Sequence, residues 1–191
     1  MQTVVITGAA GVIGSAFVGH YLLSGDRVLA IDRKKHGEFE THSNLRWVHE
    51  NIVDVDIQKT AFIDVLVNCI GEVNEDFSLA ANLHYPVFLC EQAIKASSHT
   101  IINVASRAGL EPGKVNVRPM YSASKAGLIM YTRCMAIAHP KIKWCVVCPG
   151  PIKGSTMIDT SGYHELALTT PEQVVKAAMT GLAAGKVVVE P

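Results

Sequence analysis

Short apolar runs rich in Val and Ile recur along the chain, each closed by a glycine or a polar residue and followed by a stretch of different period. Gln2–Thr7 is the first, and Arg27–Ile31, Leu45–Glu50, Asp64–Asn68, Thr100–Ala105, Ile142–Val147 and Lys186–Val189 repeat the pattern. Helical periodicity falls between them: at Ser15–Ser24, briefly around Ile57–Phe62, at Phe77–Lys95 with Pro86 inside it, and at Tyr121–Ala138. A last helix is opened by Thr170-Pro171-Glu172, where Thr170 is a good N-cap and Pro171 suits the first helical position. Strands alternating with helices over residues 1–191, without internal repeats or low-complexity segments, predict an α/β fold: one domain built as a three-layer, doubly wound parallel sheet.

Composition narrows the function classes more than the fold. Of 191 residues, 49% are hydrophobic and 18% charged, with formal net charge zero. That balance offers no basic stripe for nucleic acid and no charged face for a membrane surface. No apolar run is long enough to span a bilayer, and Met1–Gly8 enters a strand-like run without the marks of a secretory signal. Five scattered cysteines (Cys69, Cys90, Cys134, Cys145, Cys148) point to reduced thiols and a cytoplasmic setting. Cys145 and Cys148 form a CxxC, but within a strand, residues three apart face opposite sides of the sheet, which excludes a disulfide or a shared metal. The eight histidines show no ligand spacing, so no metal site is expected.

The chemistry gathers at the carboxyl ends of the strands, where open α/β sheets bind their ligands. After the first strand comes Gly8-Ala-Ala-Gly11-Val12-Ile13-Gly14, leading into a helix. Such glycines allow a tight turn and a close backbone approach to a pyrophosphate, whose charge then sits at the helix start. The second strand ends at Asp32, eighteen residues past Gly14, the spacing of a carboxylate that binds a ribose diol. Asp32 would repel a 2′-phosphate and so favours NAD(H), while Arg33 and Lys34 leave a route to NADP(H). Asn51, Asn68, Ser106 and Pro149-Gly150 fall on the same rim. Tyr121-Ser-Ala-Ser-Lys125 sets a phenol and an ammonium one helical turn apart, and the positive charge favours phenolate, moving the tyrosine toward acid–base work near neutral pH.

With Thr7-Gly8-Ala-Ala-Gly11-Val-Ile-Gly14, Asp32, Asn82, Ser106, Tyr121-x-x-x-Lys125 and Pro149-Gly150-Pro151-Ile152 in this order, the chain resembles the short-chain dehydrogenase/reductase family along nearly its full length. The resemblance implies a Rossmann fold and an oxidoreductase that interconverts a carbonyl and an alcohol on a small or medium metabolite by direct hydride transfer. It implies that Tyr121 is the general acid or base, and that Lys125 lowers its pKa and bonds the nicotinamide ribose. Ser106 would polarise the substrate carbonyl, and Asn82 would anchor a relay water. Gly8, Gly11, Val12, Ile13, Gly14, Asp32 and Arg33 would hold the dinucleotide with Asn51 and Ile52 at the adenine. Asn68 would lie by the adenosine ribose, with Cys69 and Gly71 continuing that wall and Pro149, Gly150 and Ile152 closing the far side. Independently, Pro86 lacks an N–H, which frees the Asn82 carbonyl four residues earlier for another partner such as water.

Departures from the family pattern are informative. The Gly8-x-x-Gly11-x-x-Gly14 spacing is that of the extended, epimerase-type branch, which keeps open an epimerase or dehydratase using bound NAD transiently. Asn68-Cys-Ile-Gly71 replaces the usual Asn-Asn-Ala-Gly, placing a bulky Ile70 near the cofactor wall. The intervals Asn51–Asn68 and Asn68–Asn82 are short, so a helix before the fourth strand must be abbreviated. These truncations, with a brief, small-residue-rich Lys153–Thr169 segment, also keep open a non-catalytic dinucleotide sensor. That segment, including the displaced Ser155-Thr156, is expected to leave the pocket open or covered by a mobile loop. The Tyr121–Ala138 helix is apolar almost all round, as is Val87–Cys90, which predicts a homo-oligomer (dimer or tetramer) through the Phe77–Lys95 and Tyr121–Ala138 helices.

Overall fold

The computed structural model describes residues 1–34, 41–59, 62–112, 117–155 and 168–191. Seven strands form one sheet: β1 (Thr3–Thr7), β2 (Arg27–Ile31), β3 (Leu45–Val48), β4 (Val65–Asn68), β5 (Thr100–Val104), β6 (Lys143–Val147) and β7 (Val188–Val189). Their order is β3-β2-β1-β4-β5-β6-β7 and every pairing is parallel. The chain therefore winds outward in both directions from the β1–β4 pair, and that reversal opens a crevice at the carboxyl ends of these two strands.

Alternation along each strand divides the core into two layers. Val4, Ile6, Ile102, Val104, Cys145 and Val147 face α1 (Val12–Leu23), whose Phe17 is fully buried among them. Val5, Leu66, Ile101 and Trp144 face the opposite way, toward Leu89, Cys90 and Ala93 of α3 (Tyr85–Lys95). Val146 and Cys148 pack on that side against Leu128 and Ile129 of α4 (Pro119–Ala138). Cys145 and Cys148 thus point to opposite faces, and all five cysteines are free. The last helix, α5 (Pro171–Ala183), packs beside α1 and begins with the full capping box: Thr170 accepts from the Gln173 N–H, and Gln173 accepts from the Thr170 N–H.

Two stretches depart from the sequence reading. The helix expected around Ile57–Phe62 is reduced to single 3₁₀ turns at Ile52–Asp54 and Ile57–Lys59, the abbreviation that the short Asn51–Asn68 interval requires. The Phe77–Lys95 helix starts earlier and is not simply kinked at Pro86. It runs as α2 (Glu75–Leu79), a π turn (Ala80–His84) and α3. The Tyr85 N–H donates to the carbonyl of Ala80, five residues back, so the extra residue absorbs the register that the proline disrupts. The strands and α1 shift at their ends by one to three residues, as fraying helix and strand termini do.

Candidate active site

The crevice is lined first by the glycine-rich turn. Gly8 takes φ +65°, and a Cβ there would stand 2.8 Å from the backbone of Cys69 and Ile70, so only glycine lets β1 and β4 close at this level. A Cβ on Gly14 would fall 2.1 Å from the Gly8 carbonyl oxygen, which makes Gly14 the residue that allows α1 to start against the turn. Gly11 is the N-cap of α1 and supplies no side-chain bond, and the first turn holds no acid. The N–H groups of Val12, Ile13 and Gly14 are therefore left to an anion from outside the helix. Val12 and Ile13 turn their half-buried side chains toward the core.

Asp32 lies at the end of β2 with its carboxylate already oriented. Oδ2 accepts from the Ala10 N–H of the glycine turn at 3.1 Å, and Oδ1 accepts from the Lys34 N–H at 2.8 Å. Arg33 is exposed beside it. Asn51 is exposed ahead of the Ile52–Asp54 turn, and Ile52 packs partly on the core. Gly71 stands in open space, and Cys69 and Ile70 pass close over Gly8. Together a glycine cradle, an uncapped helix start and a carboxylate one turn away fit the pyrophosphate and ribose of a dinucleotide.

Asn68 is placed differently from the other rim residues. Its side chain is 1% exposed, accepts from the Thr7 hydroxyl at 3.2 Å and donates to Asn103 Oδ1 at 2.9 Å. Asn103 in turn donates to the Thr132 hydroxyl at 2.9 Å, and Thr132 donates to the Leu128 carbonyl at 2.7 Å. This side chain is spent on a buried ladder crossing three strands into α4.

The catalytic candidates converge at the end of β5. Lys125 is 3% exposed and donates from Nζ to the Val104 carbonyl at 2.9 Å. Its ammonium stands 5.9 Å from the centre of the Tyr121 ring, itself 8% exposed. Burial draws the Lys125 pKa down to about 8, against weaker upward pulls from Cys69 and Cys148. Ser106 follows β5 directly and accepts from the Ala108 N–H at 3.2 Å, a bond that uses a lone pair and leaves the hydroxyl proton to donate elsewhere. Gly109 lets the next turn lie on α4, since a Cβ would meet the Ala126 and Lys125 backbone at 2.7 Å.

Asn82 sits in the π turn, fully buried. Its amide brackets Glu72, accepting from the Glu72 N–H at 2.9 Å and donating to the Glu72 carbonyl at 2.8 Å, and it also donates to Ser124 Oγ at 3.1 Å. Ser124 donates to the Tyr121 carbonyl at 2.7 Å. On the far side of the site Pro149 and Gly150 close over β6, where Pro149 accepts from the Arg107 N–H at 2.9 Å. The Arg107 guanidinium lies near Gly150 and donates to Glu190 at 3.3 Å. Ile152 is buried and bridges to Thr169. Thr156, Gly113 and most of the Lys153–Thr169 segment lie outside the described residues.

Arg107, Ser124, Glu72 and Glu75 carry no motif, and the sequence offers no local signal for them beyond their closeness to Ser106, Tyr121 and the short Asn68–Asn82 interval. Among the described residues no group of three or more His, Cys, Asp or Glu could hold a metal ion, and no helix is long and apolar enough to cross a membrane.

The family model for short chain dehydrogenases matches residues 48–165, a stretch holding Asn82, Ser106, Tyr121 and Lys125. The chain belongs to that family. Among its short-chain dehydrogenase relatives, an uncharacterized short-chain type dehydrogenase/reductase of Sinorhizobium fredii is 35% identical over 183 residues, covering 80% of this chain but 33% of its own length. The 15-hydroxyprostaglandin dehydrogenase [NAD(+)] of Rattus norvegicus is 28% identical over 185 residues, covering 80% of this chain and 68% of its own. The chain thus spans about a third of the first relative and two thirds of the second. A crystal structure of an oxidoreductase of the short chain dehydrogenase/reductase family from Burkholderia thailandensis superposes with TM-score 0.83 at 27% identity, covering 99% of this chain and 91% of that one.

Proposed function

We propose that the protein is an NAD(H)-dependent oxidoreductase acting on a carbonyl/alcohol pair of a small or medium metabolite. The observation that carries this reading is the buried Lys125 ammonium, fixed beneath Tyr121 on the carbonyl of Val104, two residues before Ser106. A lysine serving only solubility would sit in water. Here burial, with no carboxylate partner among the described residues, draws its pKa down to about 8.

Bound nicotinamide would supply or accept a hydride, and the protein's part is placement and proton handling. Gly8, Gly11, Val12, Ile13 and Gly14 would receive the pyrophosphate, and Asp32 the adenosine ribose. Asp32 favours NAD(H), since its carboxylate would repel a 2′-phosphate. Asn51, Ile52, Asn68, Cys69 and Gly71 would line the adenosine half through backbone and apolar contacts, and Pro149, Gly150 and Ile152 the nicotinamide half. Ser106 would donate its hydroxyl proton to the substrate oxygen. Tyr121 would deliver or remove the proton at that oxygen, with the nearby charge of Lys125 favouring phenolate. Asn82 would act through its backbone, because its side chain is committed to Glu72 and Ser124.

We also propose a homo-oligomer. The outer faces of α3 and α4 leave Phe88, Met130 and Ile137 at 48%, 54% and 83% exposure, an apolar surface suited to a symmetry mate. Free thiols at all five cysteines suit a cytoplasmic setting.

The test is NADH consumption over a panel of aldehydes, ketones, quinones and pterins, comparing wild type with Tyr121→Phe. Turnover should fall by about 10²- to 10⁴-fold while NADH affinity stays within about twofold. Equal activity in the two proteins, or no NADH binding to wild type, would overturn the reading.

A further inference from the structure

We infer that Glu75 is a positioning residue that caps α4 from a neighbouring helix and so sets the place of Tyr121, an inference that rests on reading α4 as the helix carrying the acid–base pair. A helix start leaves its first N–H groups without partners along the helix. On α4, Pro119 has no N–H, Arg118 gives no side-chain cap, and the first turn holds no acid. The two remaining donors, the N–H groups of Met120 and Tyr121, both donate to the Glu75 carboxylate, at 2.8 and 3.4 Å. A carboxylate at that end also opposes the helix dipole.

Glu75 is itself held in place. Asn74 starts α2 by accepting from the Asp76 N–H at 3.0 Å, which fixes the turn from which Glu75 projects. Three residues earlier, Asn82 grips the Glu72 backbone on both its N–H and its carbonyl. Ser78 adds a hydroxyl bond to the Asn74 carbonyl at 2.8 Å. The same short connection therefore reaches α4 twice, one turn apart: Glu75 on Met120 and Tyr121, and Asn82 on Ser124. Because this connection follows directly from Cys69–Gly71, which passes over Gly8, the glycine turn and Tyr121 are tied through one stretch of chain.

The test compares wild type, Glu75→Ala and Glu75→Gln for kcat, KM, NADH affinity and amide exchange at Met120 and Tyr121. Glu75→Ala should lower kcat about five- to tenfold, the effect of losing a helix cap, and raise exchange at both amides by a similar factor, with KM and NADH affinity within about twofold. Glu75→Gln keeps one acceptor, so it should hold the shorter bond to the Met120 amide, lose protection at Tyr121, and fall between wild type and Glu75→Ala in kcat. Unchanged kcat and protected amides in Glu75→Ala would overturn the inference. So would a joint fall of kcat, NADH affinity and thermal midpoint in both variants, which would mark a general loosening. If wild type turns over no carbonyl, the proposed function fails by itself, and exchange at Met120 and Tyr121 in the alanine against the glutamine variant still decides the cap.

Discussion

Two helices of this molecule begin above the same rim of the sheet and treat their first turns in opposite ways. At α1 the chain brings a glycine N-cap, no side-chain bond and no acid, and it clears space with Gly8 and Gly14. At α4 it brings a carboxylate from another helix and closes the donors internally. Both starts have the same backbone dipole and the same orphaned N–H groups. What differs is whether the chain supplies its own anion. On the proposed reading one terminus would receive charge from a ligand, and the other would stand still while Tyr121, two residues past Pro119, handles a proton.

The comparison breaks most visibly at Gly14. Gly14→Ala puts a methyl 2.1 Å from the Gly8 carbonyl, so α1 must move off the turn. Urea unfolding should show a loss of about 3 kcal/mol, and titration should show NADH affinity falling at least about thirtyfold. Gly11→Ala, whose methyl would stand 3.2 Å from the same oxygen, should cost about a third as much. Equal effects of the two would mean that the turn yields and that close approach is not its purpose.

A smaller change sharpens the account of the receiving end. Asp32→Asn keeps an oxygen for the Ala10 N–H and removes the negative charge. The ratio of NADH to NADPH affinity should fall about tenfold, near 1.4 kcal/mol, in paired fluorescence titrations. A ratio that does not move would place the ribose elsewhere.

At the other end the probe is a proton. The folded pKa of Lys125, about 8, lies below its ordinary value of 10.5, because burial penalises the ammonium. Between those values the unfolded chain binds more protons, so this residue's contribution to stability is present above about 10.5 and lost as pH falls through 8. Wild type measured against Lys125→Met by urea unfolding should gain stability as pH rises through that window, with a slope approaching about 1.4 kcal/mol per pH unit. A flat difference would mean that water reaches the ammonium.

How far the sequence carries the reader follows from the range of each interaction. β1, the glycine turn, Asp32, the Thr170 capping box and the Tyr121–Lys125 spacing are all local, written in neighbouring residues, and the parallel order of the sheet follows from their alternation. Asn68 was legible as a rim residue but not as part of the ladder from Thr7 to Thr132, because that ladder depends on strands adjacent in space and far apart in the chain. Glu75 is the same case, since 45 residues separate it from the amide of Met120. Pro86 announced a disturbance near Asn82, but periodicity alone does not distinguish a kink from a π turn.

That π turn sets a phase. An α-helix advances roughly 100° per residue, so the one surplus residue between Ala80 and His84 offsets everything before it against everything after. Deleting a single position there would restore even winding with α2 and α3 still presenting the same faces, whereas winding every residue regularly would swing Asn74 and Glu75 about the axis relative to α3 by that same angle, carrying the carboxylate off the amides it serves. The irregular winding thus works as a timing mark, which lets one continuous rod answer to two neighbours whose demands a regular helix would not meet together.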